Sequence, residues 1–432
     1  MKLRPFELAL VIIFVLFAFV ALFVLKIIDP PSNSSSSELV TIGTVSIWGT
    51  LPGNGINQIL SELAEENEAY NNVTYRYFRP SDFDSALLSA LADGVGPDLI
   101  LVSQEKLVEM RRRIQPVSIP KVDFGNLYLD GASVFYMSDG VYGLPIAVDP
   151  LMMYWNKDIL TNKGYLNPPQ TWENLVNIMF PELISRDFDR TINRSVVAMG
   201  EYSNIRNAFG IISALMIQGG SELVAEDKDG NYVIKLQSAP GGSDPLFSAA
   251  DFYTKFSKPS NTLYSWNRSL AEDRFLFTSE DLVFYFGYGS EGREIENSNP
   301  NLNFAIAEIP QGATATVRRT YGKFYALSLL KSSDNFTGAG NLMNLLGGEN
   351  IATRIAIASN MAPAHRSTVN LGSDDDFGRE SFKSAFIAKG WLNPELSATE
   401  SIFATMARDI NENRNDVSSA VRDVSGRLKD KY

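Results

Sequence analysis

The 432-residue chain has no cysteine and a single histidine, and these two gaps remove whole classes of site. Without cysteine the chain forms no disulfide, no thiolate metal site and no lipid attachment through a cysteine. Any Ser-His or histidine-metal mechanism would have to use His365 alone. That residue lies in a Pro-Ala-His-Arg loop, residues 363–366, without an acidic neighbour, so we expect it at a hinge or on the surface rather than in catalysis.

Complete catalytic and metal-binding motifs are also lacking. The segment around Ser290 resembles a nucleophile elbow, but the position two residues earlier is Tyr288 instead of the required glycine. Residues 227–231, DKDGN, have part of a calcium-loop pattern without its final glutamate, and they predict a hairpin turn. Acidic clusters such as residues 374–376 hold adjacent carboxylates, whereas a glycosidase needs two that face each other across a cleft. We therefore predict no enzyme, no cofactor and no metal.

Positive charge is scarce. The chain has 38 Lys and Arg residues against 50 Asp and Glu residues, which gives a formal net charge of -12. Binding to nucleic acid needs clustered basic residues, and the only basic run is residues 111–113, which we expect to be a solvated helix end. We therefore expect no nucleic-acid partner.

One long apolar run stands near the amino terminus. Residues 8–25 are 18 consecutive apolar residues, about 27 Å of helix at ~1.5 Å per residue, close to the thickness of the hydrocarbon core of a bilayer. Lys2 and Arg4 precede the run and place the amino terminus in the cytoplasm. We predict a cytoplasmic tip at 1–7, a transmembrane anchor at 8–28 and a Ser-rich linker at 29–39.

The run is long for a signal peptide, and no Ala-x-Ala pair follows it, which favours an uncleaved anchor over a cleaved leader. The expected location is therefore the cell membrane, with a single membrane pass and the main domain extracellular or periplasmic.

The rest of the chain predicts an α/β fold. At 45% hydrophobic and 20% charged residues it can bury a large core, and its length suits two domains. Between residues 40 and 102 apolar strands alternate with helical patterns, and a helix over 82–92 is expected with Ser81 as its cap. Such β-α-β-α-β alternation indicates a parallel sheet with helices on both faces.

The most informative stretch is residues 141–175, VYGLPIAVDPLMMYWNKDILTNKGYLNPPQTWENL. A buried, strand-like run is interrupted at Asp149-Pro150, where a residue before proline favours extended geometry and a strand joint is expected. A short helix then follows, and Thr171 is placed to cap a second helix that starts at Trp172. Trp155 and Trp172 are assigned to the core.

This stretch resembles the first interlobe crossing of bacterial extracytoplasmic solute-binding proteins of ABC transporters, of the maltose-binding type. Those proteins have Tyr-Gly-Leu-Pro, an acidic residue, Asn-Lys-Asp and Pro-Pro-x-Thr-Trp-Glu in the same order. The matching residues are Tyr142, Gly143, Leu144, Pro145, Asp149, Asn156, Lys157, Asp158, Pro168, Pro169, Thr171, Trp172 and Glu173. Residues 282–310 resemble the second diagnostic region of the family, a strand with a glycine-rich and aromatic loop. The missing lipid-attachment cysteine departs from most relatives.

The resemblance implies a two-lobed, type II periplasmic-binding-protein-like fold with a hinge between the lobes. Residues 40–148 and 310–362 would form the N-terminal lobe, and residues 149–309 and 363–432 the C-terminal lobe. Three passages between lobes are expected, near residues 147–151, 306–310 and 360–363. The partners would be a small-molecule ligand, expected to be a sugar, and an ABC permease in the membrane, and the chain is expected to be monomeric.

Sugar binding needs aromatic faces for C–H surfaces and planar polar groups for hydroxyls. The resemblance places such residues on loops at the cleft, and Asp149 matches the acidic position that often meets a sugar hydroxyl in relatives. Each residue also has a structural interpretation, which for Trp391 is packing. The candidate ligand-binding residues are Trp48, Ser103, Glu105 and Asp149, then Tyr202, Asn204, Tyr288, Ser290 and Trp391.

Two other functions stay open at this point. A membrane-anchored sensor or interaction module could use the same fold without transport, although only seven residues precede the apolar run, too few for a signalling domain. An extracellular glycosidase is the less favoured alternative, because no convincing acid/base pair of carboxylates is found. The ligand's chemical identity is beyond the sequence, and the acidic composition keeps a cationic ligand open.

Overall fold

The computed structural model describes residues 42–220, 223–236 and 244–432. The predicted cytoplasmic tip, anchor and linker, residues 1–39, lie outside these residues. No helix within the described ranges combines the length and the apolar character that a membrane crossing requires.

Fifteen strands are found in the described part of the chain. They are β1 (Val45–Gly49), β2 (Val73–Tyr77), β3 (Leu99–Ser103), β4 (Tyr136–Met137), β5 (Gly140–Val141), β6 (Leu144–Asn156), β7 (Ser185–Arg186), β8 (Ile192–Val197), β9 (Val224–Glu226), β10 (Tyr232–Ile234), β11 (Leu282–Tyr288), β12 (Phe304–Glu308), β13 (Thr320–Leu329), β14 (Ala362–Pro363) and β15 (Ala388–Lys389).

The α-helices of the same ranges alternate with these strands. They are α1 (Gly53–Glu66), α2 (Pro80–Ala92), α3 (Leu107–Met110), α4 (Lys121–Leu127), α5 (Lys157–Asn162), α6 (Trp172–Asn174), α7 (Phe180–Leu183), α8 (Ala208–Gln218), α9 (Pro245–Lys255), α10 (Asp273–Thr278), α11 (Gly292–Ser298), α12 (Phe336–Leu346), α13 (Glu349–Ala358), α14 (Arg366–Leu371), α15 (Asp376–Ile387), α16 (Leu396–Asn411) and α17 (Val417–Lys429).

One large sheet organises the molecule, with the strand order β2-β1-β3-β13-β6-β11-β8-β7. Strands β1, β2 and β3 are parallel to one another, as the β-α-β-α-β pattern predicts. Strand β13 is antiparallel to both β3 and β6, and β11 is antiparallel to β6 but parallel to β8. The result is an α/β fold in which the central strand β6 joins two groups of strands.

Strand β6 changes partners where the sequence predicts a joint. Its residues 144–150 pair with β13, and residues 147–148 also pair with β14. Its residues 151–156 pair with β11 and β12. The strand itself is continuous and wholly buried across Asp149-Pro150, so the expected interruption is an exchange of neighbours and not a break in the strand. We call β1–β3, β13, β14 and residues 144–150 the first half, and β7, β8, β11, β12 and residues 151–156 the second half.

Two apolar clusters hold the helices against the sheet. One packs α1, α12 and α13 onto the first half through residues such as Ile56, Leu60, Met343 and Ile355. The other is larger, covers the opposite face of the first half and extends through the whole second half. Both predicted core tryptophans, Trp155 and Trp172, belong to the larger cluster.

Of three local predictions, two are confirmed by the structure and one is wrong. The hydroxyl of Thr171 accepts the N–H of Asn174 at 3.1 Å, which confirms the predicted cap. Residues 227–231 form the turn of the antiparallel hairpin β9–β10, also as predicted. The cap at Ser81 is wrong, because α2 begins one residue earlier with Pro80, whose missing N–H is tolerated in a first turn.

Two further expectations are wrong in part. His365 is not on the surface, because it is buried with its ring 4.8 Å from that of Tyr128, while its expected place at a hinge stays a prediction. In the basic run, Arg112 and Arg113 are exposed after helix α3 as predicted, but Arg111 is not, since its guanidinium lies among acidic and aromatic partners of the hairpin β9–β10. A hairpin distant in sequence supplies these partners, and the sequence around residues 111–113 carries no trace of them.

Candidate functional site

The candidate site begins at the edge of the first half where three parallel strands end. Because β1, β2 and β3 run in the same direction, the residues at their carboxyl ends lie side by side, the usual place for ligands in open α/β sheets. The half-buried ring of Trp48 packs on that of Phe78 with centroids 4.6 Å apart, and the guanidinium of Arg76 covers both rings. This edge therefore presents an aromatic surface.

Glu105 is the central carboxylate of the first half. It follows β3 and has only 5% of its side chain exposed. Its Oε1 accepts the hydroxyl proton of Tyr321 at 2.6 Å, and its Oε2 accepts that of Ser103 at 3.2 Å. The ammonium of Lys323 lies 4.0 Å from Oε2. A buried carboxylate with two hydroxyl donors and a nearby cation is stabilised in place and is oriented by its neighbours.

Gln104 fixes the loop that carries this carboxylate. Its amide nitrogen donates to the carbonyl of Gly322 at 3.2 Å, and its amide oxygen accepts the N–H of Phe324 at 2.5 Å. Both bonds are made to β13, and the side chain is fully buried. No sequence pattern predicted a role for Gln104, but its contacts fix the direction in which Glu105 points.

Asp149 connects the two halves. It lies on β6, is 3% exposed, and accepts both the N–H and the hydroxyl proton of Ser290, at 3.0 Å and 2.6 Å. Burial raises the pKa of Asp149 to about 7, while the two bonds from Ser290 and the charge of Lys323 lower it and Glu291 raises it. Both carboxylate oxygens are therefore engaged by a residue that follows β11, in the second half.

Tyr288, at the end of β11, lies against Lys323 of the first half. The ammonium is 4.3 Å from the centroid of the ring, a favourable cation–π distance. The tyrosine hydroxyl approaches helix α8 so closely that a Cβ added at Gly210 would lie 2.6 Å from it. Only glycine leaves this space, so α8 is shaped to accept the ring.

Tyr202 and Glu400 complete the group from the second half. The hydroxyl of Tyr202 is buried and has no hydrogen-bond partner among the described residues. Burial raises its pKa, and the charges of Glu400 and Glu105 raise it further. The pKa of Glu400 is raised by burial and by Glu105 and lowered by Lys323 and Lys106, so these groups lie within electrostatic reach of one another.

Two candidates lie apart from this group. The amide of Asn204 donates to the carbonyls of Asn267 and Leu270 at 2.9 Å and 3.0 Å, and its oxygen accepts the indole N–H of Trp266. Trp391 is 4% exposed and donates its indole N–H to the hydroxyl of Ser213 at 3.1 Å. Both side chains make their polar contacts inside the protein, in agreement with the packing interpretation of Trp391.

The structure adds residues that the sequence reading did not select, chiefly Lys323, Tyr325 and Glu400. Tyr321, Lys323 and Tyr325 alternate along β13, and alternate residues of a strand share one face. The pKa of Tyr325 is raised by burial and by the charges of Asp149 and Glu105, which places it beside both. This alternation of aromatic and basic side chains was the available signal. In the described ranges, no group of acidic or histidine side chains is arranged to hold a metal ion.

The chain was compared with protein families and with known proteins. The family model of the bacterial extracellular solute-binding proteins matches residues 58–377. A protein of Brucella abortus (strain 2308) described as a binding protein is 23% identical over 281 residues, which cover 60% of this chain and 60% of that protein. A counterpart in Brucella suis biovar 1 (strain 1330) matches with the same identity and coverage.

Three solved structures share the fold. The first, a cyclo/maltodextrin-binding protein complexed with maltotetraose, has a TM-score of 0.72 at 16% identity, covering 90% of this chain and 97% of that one. The sugar-binding protein MalE of Xanthomonas citri gives 0.71 at 17% identity, with the same coverage. The maltose-maltodextrin binding protein of Alicyclobacillus acidocaldarius gives 0.67 at 15% identity, covering 90% and 100%.

These structural matches establish a periplasmic-binding-protein-like fold. The matched family model spans most of the chain, and the family consists of solute-binding proteins, not enzymes. The chain therefore belongs to the family of bacterial extracellular solute-binding proteins.

Proposed function

We propose that this protein is an extracytoplasmic carbohydrate receptor, held at the membrane by residues 8–28, that closes around its ligand and presents it to an ABC importer. The observation that carries the sugar assignment is the site itself. The ring of Tyr288 lies against Lys323, the carboxylate of Glu105 lies 4.0 Å from the same ammonium, and Trp48 offers an aromatic face at the carboxyl end of the neighbouring strand β1. Such a mixture suits the C–H faces and hydroxyl groups of a sugar.

The proposed closure of the two lobes around a ligand follows from the division of the site between the two halves. We assign the second half to a lobe formed by residues 149–309 and 363–432, and the first half, apart from its boundary residues 149, 150 and 363, to a lobe formed by residues 40–148 and 310–362. Trp48, Glu105 and Lys323 come from the first, whereas Tyr202, Tyr288 and Glu400 come from the second. A ligand that contacts both sets only when they are close together shifts the population toward the closed form, by no more than its differential affinity.

The fold supports the same proposal by analogy. Two of the structural neighbours are described as maltodextrin-binding proteins and one as a sugar-binding protein. Fold alone does not choose a ligand, so the residues must carry the argument. We place Trp48, Glu105, Asp149, Tyr202, Tyr288 and Ser290 at the ligand, with Ser103 supporting Glu105, and we add Lys323 and Glu400.

The deciding experiment is a thermal-shift screen of the full chain against mono- and oligosaccharides, amino acids, polyamines and nucleoside-like solutes. A ligand that binds only the native state raises the melting temperature. We expect a saturable shift with one class of sugar, reduced in Trp48→Ala, in Asp149→Ala and in Tyr202→Phe. Tyr70→Phe is the matched control, because Tyr70 precedes β2 at the opposite end of the strand from the site.

The other outcomes separate the alternatives. A shift with an amino acid, polyamine or nucleoside would refute the sugar assignment but keep the receptor. No shift with any solute, in a chain shown to be folded by circular dichroism, would contradict the importer assignment and favour an interaction module. Release of shortened products from oligosaccharides would revive the glycosidase.

A further inference from the structure

A separate cavity of about 640 Å³ lies between the two halves, away from the group around Glu105. One wall comes from residues between 121 and 138. Within this stretch, Leu129 donates its N–H to the carbonyl of Ala364, which follows β14. The other wall comes from Ile217 at the end of α8, from β9, and from residues 389–392. A cavity of this size lies within the range of small-molecule sites, ~300–1,000 Å³.

The lining of this cavity is basic although the chain as a whole carries a net charge of -12. Its four cationic residues are Lys121, Lys228, Arg319 and Lys389, and its two carboxylates are Glu226 and Asp227.

Neither carboxylate is free to neutralise these cations. Glu226 lies 2.5 Å from the guanidinium of Arg111 and accepts the N–H of Ser138 at 2.8 Å. Asp227 accepts the N–H groups of Asp229 and Asn231, each at 2.9 Å, in the hairpin turn. Positive charge therefore dominates the cavity.

Arg319 and Lys389 are the two cations whose position is best fixed. Both are partly buried, and neither forms an ion pair with a described residue. The guanidinium of Arg319 makes one long contact, at 3.4 Å, to the carbonyl of Ile217. Burial lowers the pKa of Lys389, Asp130 raises it, and Arg319 and Arg366 lower it again. Asp130 is itself paired with Arg366 at 2.7 Å, so the carboxylate nearest to the two cations is already shared with a third.

The backbone holds these two residues rigidly. Arg319 donates its N–H to the side-chain oxygen of Gln311 at 2.9 Å, and its carbonyl accepts from the amides of Gln218 and Gln311, each at 3.1 Å. Lys389 lies on β15, which pairs with β13 at Tyr321, two residues beyond Arg319. Sites built on such fixed elements hold their geometry better than sites on free loops.

We propose that this cavity is a second binding site, for a small organic anion carrying at least two carboxylate or phosphate groups. Arg319 would bind one anionic group through its planar guanidinium and Lys389 the other, with Lys121 and Ser133 on the facing wall. Two cations held near each other without a partner make the site unfavourable when empty and select a ligand with matching charges. The proposal is independent of the sugar assignment, because no residue of the group around Glu105 lines the cavity.

The test is isothermal titration calorimetry on the full chain with citrate and, separately, with inorganic pyrophosphate, which distinguishes a carboxylate from a phosphate ligand. We expect one saturable site for one of the two probes. Lys389→Gln and Arg319→Gln should each weaken binding by at least about tenfold, because each removes one cation from a desolvated pair of charges. The matched control is Lys163→Gln, which removes the same charge from an exposed position outside the cavity.

Any of three results would overturn the proposal. The first is the lack of saturable binding of both probes at about millimolar concentration. The second is equal affinity in wild type and in the two cavity variants. The third is equal weakening in Lys163→Gln, which would show binding to the general surface charge. If Arg319→Gln does not fold, judged by circular dichroism, Lys389→Gln alone decides, since its backbone pairing in β15 does not depend on the side chain.

Discussion

Two of the polar connections between the halves of the molecule differ in how their charges are matched. At the first, Asp149 meets Ser290. At the second, Arg111 of the first half meets the hairpin β9–β10, and we call Arg111, Asp139, Tyr142, Glu226 and Tyr232 the clasp. Arg111 lies 2.5 Å from Glu226 and 3.2 Å from Asp139, and its guanidinium contacts the rings of Tyr142 and Tyr232.

The positive charge of Arg111 in the clasp is matched by the groups around it. Burial lowers the pKa of Arg111, but hydrogen bonds to Tyr142, Tyr232 and Glu226 outweigh burial and raise it, so the cation is kept. Asp149, in contrast, has no cation at ion-pair distance within the described ranges and receives only the neutral groups of one serine. The protein itself therefore stabilises the positive charge of Arg111 in the clasp, whereas the ionisation of Asp149 depends on the pH or on a ligand.

The largest effect should come from breaking the clasp. Arg111→Met leaves the carboxylate of Glu226, 9% exposed, without its cation, and breaking a buried pair costs about 3–5 kcal/mol in the free energy of unfolding. Urea denaturation followed by circular dichroism measures the loss. The matched control Arg112→Met removes an exposed arginine next to it and should change stability by less than about 0.5 kcal/mol. Equal losses in both variants would show that the clasp is not a stabilising contact.

A smaller, pH-dependent effect should come from Asp149. Its native pKa of about 7 exceeds its usual value of 3.8, so the folded state keeps the proton that the unfolded state releases. The stability contributed by the protonated carboxyl is therefore complete below about pH 4, is lost as the pH rises to about 7, and stays lost above.

Asp149→Asn removes this dependence because its side chain does not ionise. Its stability relative to wild type should rise between pH 4 and pH 7, by up to about 4 kcal/mol in total, and then level off. Urea midpoints at several pH values measure the difference. A difference that stays flat across this range would mean that Asp149 is ionised in the folded protein like an ordinary surface carboxylate.

The smallest effect should come from Tyr232→Phe, which keeps the ring over Arg111 and removes only its hydroxyl. The lost hydrogen bond, 3.1 Å from the guanidinium, should reduce stability by about 1 kcal/mol, since two carboxylates still hold the cation. The double variant Arg111→Met, Tyr232→Phe should then be no less stable than Arg111→Met alone. An additive loss would show that Tyr232 contributes through contacts other than Arg111.

Local sequence patterns were sufficient to predict two features of the fold. The parallel order of β1, β2 and β3 followed from alternation, and the exchange of partners in β6 coincided with Asp149-Pro150 because proline marks that point. The site was harder to predict. Tyr288 and Ser290 were predicted because a glycine-rich loop follows β11, whereas Lys323 and Glu400, which we now propose beside them, lie far along the chain and were not predicted.

Two polar side chains have partners that the sequence does not reveal. Asn204, a predicted ligand-binding residue, donates its amide to the carbonyls of residues 267 and 270. Arg111, expected to be solvated, is bound by a hairpin more than a hundred positions later. In both cases the partners come from distant parts of the sequence, so only the tertiary structure shows whether a polar side chain is free or engaged.

The continuity of β6 determines how the halves can move. The 13 residues of β6 run through both halves, so no flexible linker interrupts the chain at this crossing. Any rotation of the halves there must come from small dihedral changes where the strand exchanges neighbours. Opening would therefore increase the conformational entropy of the chain only slightly, in contrast to two domains that are joined by a flexible linker. In the closure that we propose, the balance between open and closed forms would then be governed by surface contacts, and a ligand or a single altered side chain at those surfaces would have a correspondingly large influence.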